Sequence, residues 1–388
     1  MQARPSTPFS RRRLLLAGIA AGLVACRSGV ADQPSAQPGR PGQPLRLLAE
    51  ARWAHRMDFG GSTVGGLSGI DYDAITGEFL LLSDDRSDLA PARFYSARWE
   101  VEGRRTPEAN GVTWLRQADG SPWPARRAAN PAIPVVDPEA IRWRPDTGTL
   151  LWASEGDVAR GFGPALYESR RDGTLVRELA LPPMFAADRS GQRGPRDNLG
   201  LEGLALTPDG RDAWVAMENA LHQDGPAPTL RAPGGPCRFT RIDLASGQAT
   251  RQIAYLPDPI PLRPLLPGTH ADNGVSEVLM IDAHRMLVLE RAYAVGAGNS
   301  LRLYEIDTRD ASDTLAVDAL TADNHRPAPK KRVADFAALG LSRLDNTEGL
   351  CWGPDLPGGR RMLLAVSDDN FNPLQVTQFA AFEFTDKS

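Results

Sequence analysis

The chain has 388 residues, 41% of them hydrophobic, with 37 glycines and 33 prolines, a content that fits one large, turn-rich all-β domain. A formal net charge of −4 leaves no global basic field to hold nucleic acid. Five scattered histidines, with no CxxC and no HExxH, argue against a zinc centre.

The N-terminus reads as an address. Ser10-Arg11-Arg12-Arg13 precedes an apolar run from Leu14 to Ala25, the layout of a twin-arginine export signal, and the run is too short to span a bilayer as a mature helix. Its end, Leu23-Val24-Ala25-Cys26, has the form of a lipobox, so residues 1–26 are expected to be an export signal with Cys26 as the lipidated residue, ordinary cleavage nearby being the alternative. Residues 27–44, rich in Pro, Gln and Gly, are expected to be a flexible tether. The domain of residues 45–388 would then be a monomer at the periplasmic or extracellular face of a bacterial membrane, touching that membrane only through its lipid.

An isolated strand, Leu45 to Trp53, precedes five copies of one pattern. Each copy opens with a carboxylate or Ser, a small residue and an aliphatic, and closes on an acidic residue one strand later. The openings are Ser68-Gly69-Ile70, Glu139-Ala140-Ile141, Glu202-Gly203-Leu204, Glu277-Val278-Leu279 and Glu348-Gly349-Leu350. The matching closures are Ser83-Asp84-Asp85, Ser154-Glu155, Met217-Glu218-Asn219, Leu289-Glu290-Arg291 and Ser367-Asp368-Asp369. A fixed period of this size means one unit copied about an axis. Each copy reads as a β-hairpin, because the midpoint of every opening and closing acid falls in a Gly-, Pro- or Asp-containing turn such as Pro208-Asp209-Gly210.

Further strands follow each hairpin, at Ala165–Ser169 and Leu175–Leu181 in the second copy and at Phe239–Leu244 and Ala249–Tyr255 in the third. Four strands per unit is the content of a propeller blade. The last unit has three, ending on Val376–Phe384, and Leu45 to Trp53 supplies the fourth, so pairing of the terminal strands closes the ring. The expectation is a five-bladed β-propeller, with a degenerate sixth blade possible within 220–236, 255–272 or 311–345. Trp143, Trp152, Trp214 and Trp352 are expected to pack blade on blade, and Cys237 and Cys351 to be separate thiols.

In a hairpin so arranged the two acids face each other with Cβ atoms roughly 5 Å apart, which is destabilising unless compensated. A divalent cation, arginine partners or backbone N–H groups of neighbouring strands would each serve.

The segments Gly66–Asp73, Leu82–Arg86, Asp137-Pro138-Glu139, Asn198–Leu204, Asn273–Glu277, Leu289-Glu290-Arg291 and Ser367–Asn372 resemble in order and spacing the bacterial phytase-like family, described as having esterase-like activity of phytase. The resemblance runs from about residue 47 to 384. It implies a propeller related in concept to the six-bladed calcium-dependent β-propeller phytases, whose acidic rim binds metal ions that hold phosphate.

The residues fit that implication. Asp84, Glu139, Glu155, Glu202, Glu218, Glu277, Glu290, Glu348 and Asp368 form an oxygen-only set around one channel mouth that suits a hard cation, Ca²⁺ above Mg²⁺. Arg86 and Arg291 are expected to bind a substrate phosphate with Asn370, and Asp85, Arg86, Asp369 and Arg291 to form the catalytic group. A rim glutamate would act as general base toward water, and the cation would stabilise the developing charge. With no GxSxG, no serine nucleophile is implied. The first and last units are neighbours in a closed ring, so Ser68, Asp84, Asp85, Arg86, Asp368, Asp369 and Asn370 are expected to cluster. His270 reads as a loop residue and Asp188–Asp197 as a solvated loop.

The reading is an exported hydrolase of small phosphoesters or esters. A ring of identical acids also suits a scaffold role, so a non-enzymatic periplasmic ligand- or protein-binding propeller and a calcium-dependent lactonase stand as alternatives.

Overall fold

A computed structural model describes residues 44–386 apart from 104, 128, 129 and 131. The expected export signal with Cys26, and residues 27–43 of the expected tether, lie outside the described residues.

Strand β1 (Leu45–Arg52) leads through a short hairpin, β2 (Asp58–Phe59) and β3 (Ser62–Thr63), into blade 1. That blade is β4 (Leu67–Asp73), β5 (Glu78–Ser83), β6 (Arg93–Arg98) and β7 (Glu108–Trp114). Blade 2 is β8 (Pro138–Arg144), β9 (Thr149–Ser154), β10 (Ala165–Arg170) and β11 (Leu175–Leu179). Blade 3 is β12 (Leu201–Leu206), β13 (Asp212–Met217), β14 (Cys237–Asp243) and β15 (Gln248–Tyr255). Blade 4 is β16 (Ala271–Met280), β17 (Arg285–Ala294), β18 (Gly298–Asp307) and β19 (Lys330–Asp335), and β20 (Asn346–Trp352), β21 (Arg361–Asp368) and β22 (Gln378–Phe384) begin blade 5. The outermost strand of blade 5 is β1, paired antiparallel with β22 from Leu45↔Phe384 to Arg52↔Gln378. The chain is therefore a five-bladed β-propeller locked by its first and last strands. The stretch 220–236 holds only a 3-10 turn, His222–Asp224, 255–272 is a loop between the end of β15 and the start of β16, and 311–345 supplies β19 to blade 4 instead of a sixth blade.

Position in the blade explains the residue patterns. Strands β9 and β13 are buried along their whole length, since each lies between two neighbouring blades, and their interiors, Leu150–Ala153 and Ala213–Met217, read as continuous apolar runs. The outer strand β11 alternates between half-buried and exposed residues, as an edge facing water must. Leu80, Leu82, Ile141 and Trp152 share one apolar cluster that fills the wedge between blades 1 and 2. Trp152 and Trp214 are buried, whereas Trp143 and Trp352 carry Arg171 and Arg361 on their ring faces. Cys237 and Cys351 are separate buried thiols.

The innermost strands form a closed ring: β4 touches β8 and β20, β12 touches β8 and β16, and β16 touches β20. The small residue of the repeat makes this approach possible. A Cβ on Gly349 would lie 2.9 Å from Ser68 O and 3.0 Å from Ile70 N of the next blade, and one on Gly203 would lie 3.0 Å from Val278 N.

Blade 4 breaks the rule with Glu277, whose carboxylate accepts Leu204 N–H and Val278 N–H at 2.9 Å and lies 2.7 Å from Arg142 Nη2. Arg142 stands in blade 2 and also donates to Ile70 O in blade 1 and Val278 O in blade 4. Blades 2 and 4 are not neighbours, so this buried ion pair crosses the channel.

Gly349→Val should strain the contact between blades 5 and 1. A fall of about 1–3 kcal/mol in unfolding free energy is expected, read from urea denaturation, as for overpacked cores. An unchanged midpoint would contradict the close approach of β20 to β4.

Candidate active site at the channel mouth

Every first hairpin contains a β-bulge at the same place. The register shifts between Leu67 and Gly69, Pro138 and Ala140, Leu201 and Gly203, Val275 and Glu277, and Thr347 and Gly349. The bulged residues are therefore Ser68, Glu139, Glu202, Ser276 and Glu348. A bulge inserts one unpaired residue and re-aims its side chain. The direct cross-strand pairing of acids expected from the turn midpoints is thereby corrected: Pro138, not Glu139, is opposite Ser154, Asp84, Glu155 and Glu218 lie just beyond the paired ends, and Glu290 and Asp368 are opposite Val275 and Asn346.

The shift also realigns the fourth copy. Ser276, not Glu277, is the counterpart of Glu139, and Ser68 and Ser276 donate from Oγ to Pro138 O and Thr347 O of the following blades at 3.0 and 3.3 Å. At the closing end the counterparts are Asp84, Glu155, Glu218, Arg291 and Asp368, so blade 4 places a cation where the others place an acid.

The mouth collects Asp84, Asp137, Glu139, Glu155, Glu202, Glu218, Glu348 and Asp368, all buried, around the guanidinium groups of Arg86 and Arg291. Ligand oxygens of Asp84, Asp137 and Glu139 lie within 4.8 Å of one another, as do those of Glu155, Glu202 and Glu218. Arg86 pairs with Asp137, lies 3.6 Å from Glu155 Oε2 and donates to Asn198 Oδ1 at 2.7 Å. Arg291 lies 3.6 Å from Glu218 Oε1 and 3.4 Å from Glu348 Oε1. Gly200 N–H serves Glu155 at 2.8 Å, Asn370 N–H serves Asp368 at 2.7 Å, and Asn346 Nδ2 donates to Glu348 and Asp368 at 2.9 and 3.3 Å. Asp137 Oδ1 and Asn219 Oδ1 are buried acceptors with no hydrogen-bond donor among the described residues.

These partners do not offset the burial of so many like charges. Burial pushes Glu139 well above the usual carboxylate range, with Glu202, Asp137, Asp84 and Glu155 adding to it. Burial and then Glu218, Glu155 and Glu348 raise Glu202, against the pull of Arg291. Asp368 rises through burial, Asp84, Glu348 and Asp369. Glu155 is pushed up to about 8, chiefly by burial and Asp137, although Arg86 and Gly200 N–H draw it down. The electrostatic logic is that of carboxylates crowded into one site.

Other expected site residues lie elsewhere. Asp85 accepts the N–H groups of Asp88, Leu89 and Ala90 and is 2.8 Å from the fully buried Arg93, so it holds the loop after Arg86 and does not face the mouth. Glu290 turns toward the interface of blades 3 and 4, accepting from Tyr255 Oη, Asp258 N, Asn273 Nδ2 and Lys330 Nζ. Glu277 sits in the channel with Arg142, raised by burial to about 7 despite that partner. Asp84, Asp368, Asp369 and Asn370 do gather between the first and last blades, where Asp369 Oδ1 accepts Gly66 N–H and Phe371 N–H at 3.0 Å and Oδ2 lies 3.2 Å from His55 Nδ1. From the same cluster Ser68 and Arg86 reach the other way, toward blade 2.

Asp137, Asn198, Asn219 and Asn346 join the site without having been singled out as ligands. The one signal for Asp137 was its place directly before the Pro138-Glu139 opening. Asn198 and Asn370 have φ of 57° and 47°, left-handed conformations rare outside glycine and recurrent at functional sites.

A five-bladed propeller with a buried acidic mouth on one end of its channel is the class that fold and site define. The chain belongs to the phytase-like family described as having esterase-like activity of phytase, matched over residues 62–371. An uncharacterized secreted protein of Arthroderma benhamiae is 31% identical over 80 residues, 19% of this chain and 16% of that protein's length. Among solved structures, the catalytic domain of a Coprinopsis cinerea GH62 α-L-arabinofuranosidase is similar at 9% identity and TM-score 0.45, covering 87% of this chain and 97% of that one. A hypothetical protein from Leishmania major is similar at 10% identity and TM-score 0.41, covering 88% and 91%. Likenesses this remote carry no argument about activity.

A carboxyl whose pKa is higher folded than unfolded binds more protons in the folded state. Its stability contribution is then full below the unfolded value of 4.5 and is lost as pH rises toward the folded one, about 8 for Glu155. Melting temperature in chelator should therefore fall from pH 5 to pH 8, and Glu202→Gln should flatten the fall. A melting temperature that is level or rises across that window would contradict the charge assignment.

Proposed function

We propose that this protein hydrolyses small phosphoesters or carboxylic esters at the acidic mouth, with a divalent cation held by the ring carboxylates. The observation that carries the reading is the pair of buried carboxylate triads, whose like charges two arginines do not balance. The donor set fits a hard cation: every candidate ligand is an oxygen, and Asp137 Oδ1 is a buried acceptor without a donor among the described residues. Asp84, Asp137 and Glu139 would hold one ion, and Glu155, Glu202 and Glu218 another. Ca²⁺ suits them better than Mg²⁺, since side chains from three blades offer many flexible oxygens and no rigid octahedron. When bound, such an ion offsets the ring's charge and stabilises negative charge developing on a phosphoryl or acyl oxygen.

The chain's own groups supply the rest. Arg86 and Arg291, on two sides of the ring, present planar N–H donors to an anionic substrate oxygen. A ring carboxylate outside the two triads, Glu348 or Asp368, is left to accept a proton from water. The Arg142–Glu277 pair crosses the channel, so substrate enters and product leaves by the mouth.

Purified protein assayed against phosphomonoesters, carboxylic esters and lactones, with Ca²⁺ or with chelator, should turn over one of the first two classes in a cation-dependent way. Arg86→Ala should lower kcat/KM by ~10²-fold, a loss of about 2.7 kcal/mol of transition-state stabilisation. Turnover of lactones alone would favour the lactonase reading, and Ca²⁺ binding with no turnover would favour a binding propeller. Full activity in chelator would refute the cation.

A further inference from the structure

Strands β16 and β17 are ten residues long and run past the ring, from Gly274↔Arg291 through Asp272↔Tyr293 to Ala271↔Ala294. Opposed residues of an antiparallel ladder share a face, and every second residue returns to it. Arg291, Gly274, Asp272 and Tyr293 therefore lie on one face, whose lower end meets Glu218 and Glu348 through Arg291. Gly274 shows how closely this face adjoins the ring, since a Cβ there would be 2.6 Å from Glu218 Cγ and 2.8 Å from its Oε1. Any larger side chain would displace the glutamate.

Above Gly274 the same face carries a histidine–carboxylate pair. His270 Nε2 lies 2.8 Å from Asp272 Oδ2, Asp272 Oδ1 accepts Tyr293 N–H at 3.0 Å, and the His270 and Tyr293 rings are 6.4 Å apart between centroids. The His270 side chain is 30% exposed. Burial, with Asp272 and Asp345 nearby, keeps the Tyr293 phenol above its ordinary pKa, so it remains a donor. A carboxylate on Nε2 fixes the ring and leaves Nδ1 as the nitrogen that faces outward from the pair.

We propose that His270 is the proton donor to the leaving group of the reaction proposed above, with Asp272 as its positioning residue. The proposal rests on the hydrolase reading. As the oxygen of water bonds to phosphorus or to the acyl carbon, the bond from that atom to the leaving oxygen breaks, and the proton on His270 Nδ1 passes to the leaving oxygen. The proton lost by water goes to a ring carboxylate, and solvent returns one proton to His270 and removes the other. The net change is ester plus water to alcohol plus acid, with no other reactant.

The test compares esters of one acid that differ in the leaving group. His270→Ala should lose at least ~10²-fold in kcat on an alkyl ester, whose leaving oxygen must be protonated, and less than about 3-fold on a nitrophenyl ester, with unchanged melting temperature. Asp272→Asn should show the same bias to a smaller degree. Equal losses on both esters, or no loss on either, would overturn the assignment. A second readout needs no turnover: inorganic phosphate added with Ca²⁺ should shift the His270 imidazole signals in histidine-labelled NMR spectra. Phosphate that binds while those signals stay still would overturn His270 alone and leave the hydrolase standing. Failure of both phosphate binding and turnover of every ester would sink the hydrolase reading, and this proposal with it.

Discussion

The β-bulge repeated in all five innermost hairpins is the constraint on which the rest of the structure depends. Regular pairing sends alternate side chains to opposite faces of a blade, and both faces are already filled by neighbouring blades. One extra residue frees a side chain from that alternation and aims it at the mouth. Serine at Ser68 and Ser276 uses the position to tie one blade to the next, whereas Glu139, Glu202 and Glu348 use it to hold charge. The same device thus gives cohesion in two blades and buried charge in three.

Concentrating carboxylates in this way works against folding unless their charge is met. Removing one partner of a buried charge network leaves the rest uncompensated, and several kcal/mol can turn on a single group. Arg291 occupies an acid position and meets acids from the blades on either side, while Arg86 serves Asp137 and Glu155. The raised pKa values of Glu139, Glu155, Glu202 and Asp368 mark what these two cations leave unmet. The cation proposed for the mouth would meet that remainder.

The sequence made the fold legible because the signals for it are local. Strands of alternating or continuous apolar character, separated by turns such as Pro208-Asp209-Gly210, mark four strands per unit, and the unpaired first strand points to closure with β22. The bulge leaves no such trace, since one added residue at the end of a strand changes neither composition nor turn. For that reason the sequence repeat aligns the fourth copy on Glu277, although Ser276 matches Ser68 of the first. Which of two adjacent acids faces the mouth depends on backbone direction beyond the last paired residue, and so Asp84 and Asp85 look alike in sequence while only Asp84 lies at the ring. Glu290 misleads for the same reason: its partners Tyr255, Asp258 and Lys330 come from segments far along the chain.

Calorimetric titration of Ca²⁺ into chelator-treated protein at pH 7, repeated in buffers of different ionisation enthalpy, tests the central claim most directly. Carboxyls held above their ordinary pKa must give up protons when a cation takes their place. The account predicts saturable binding accompanied by proton release, with both reduced in Glu202→Gln. Absence of binding, or binding with no protons released, would contradict it.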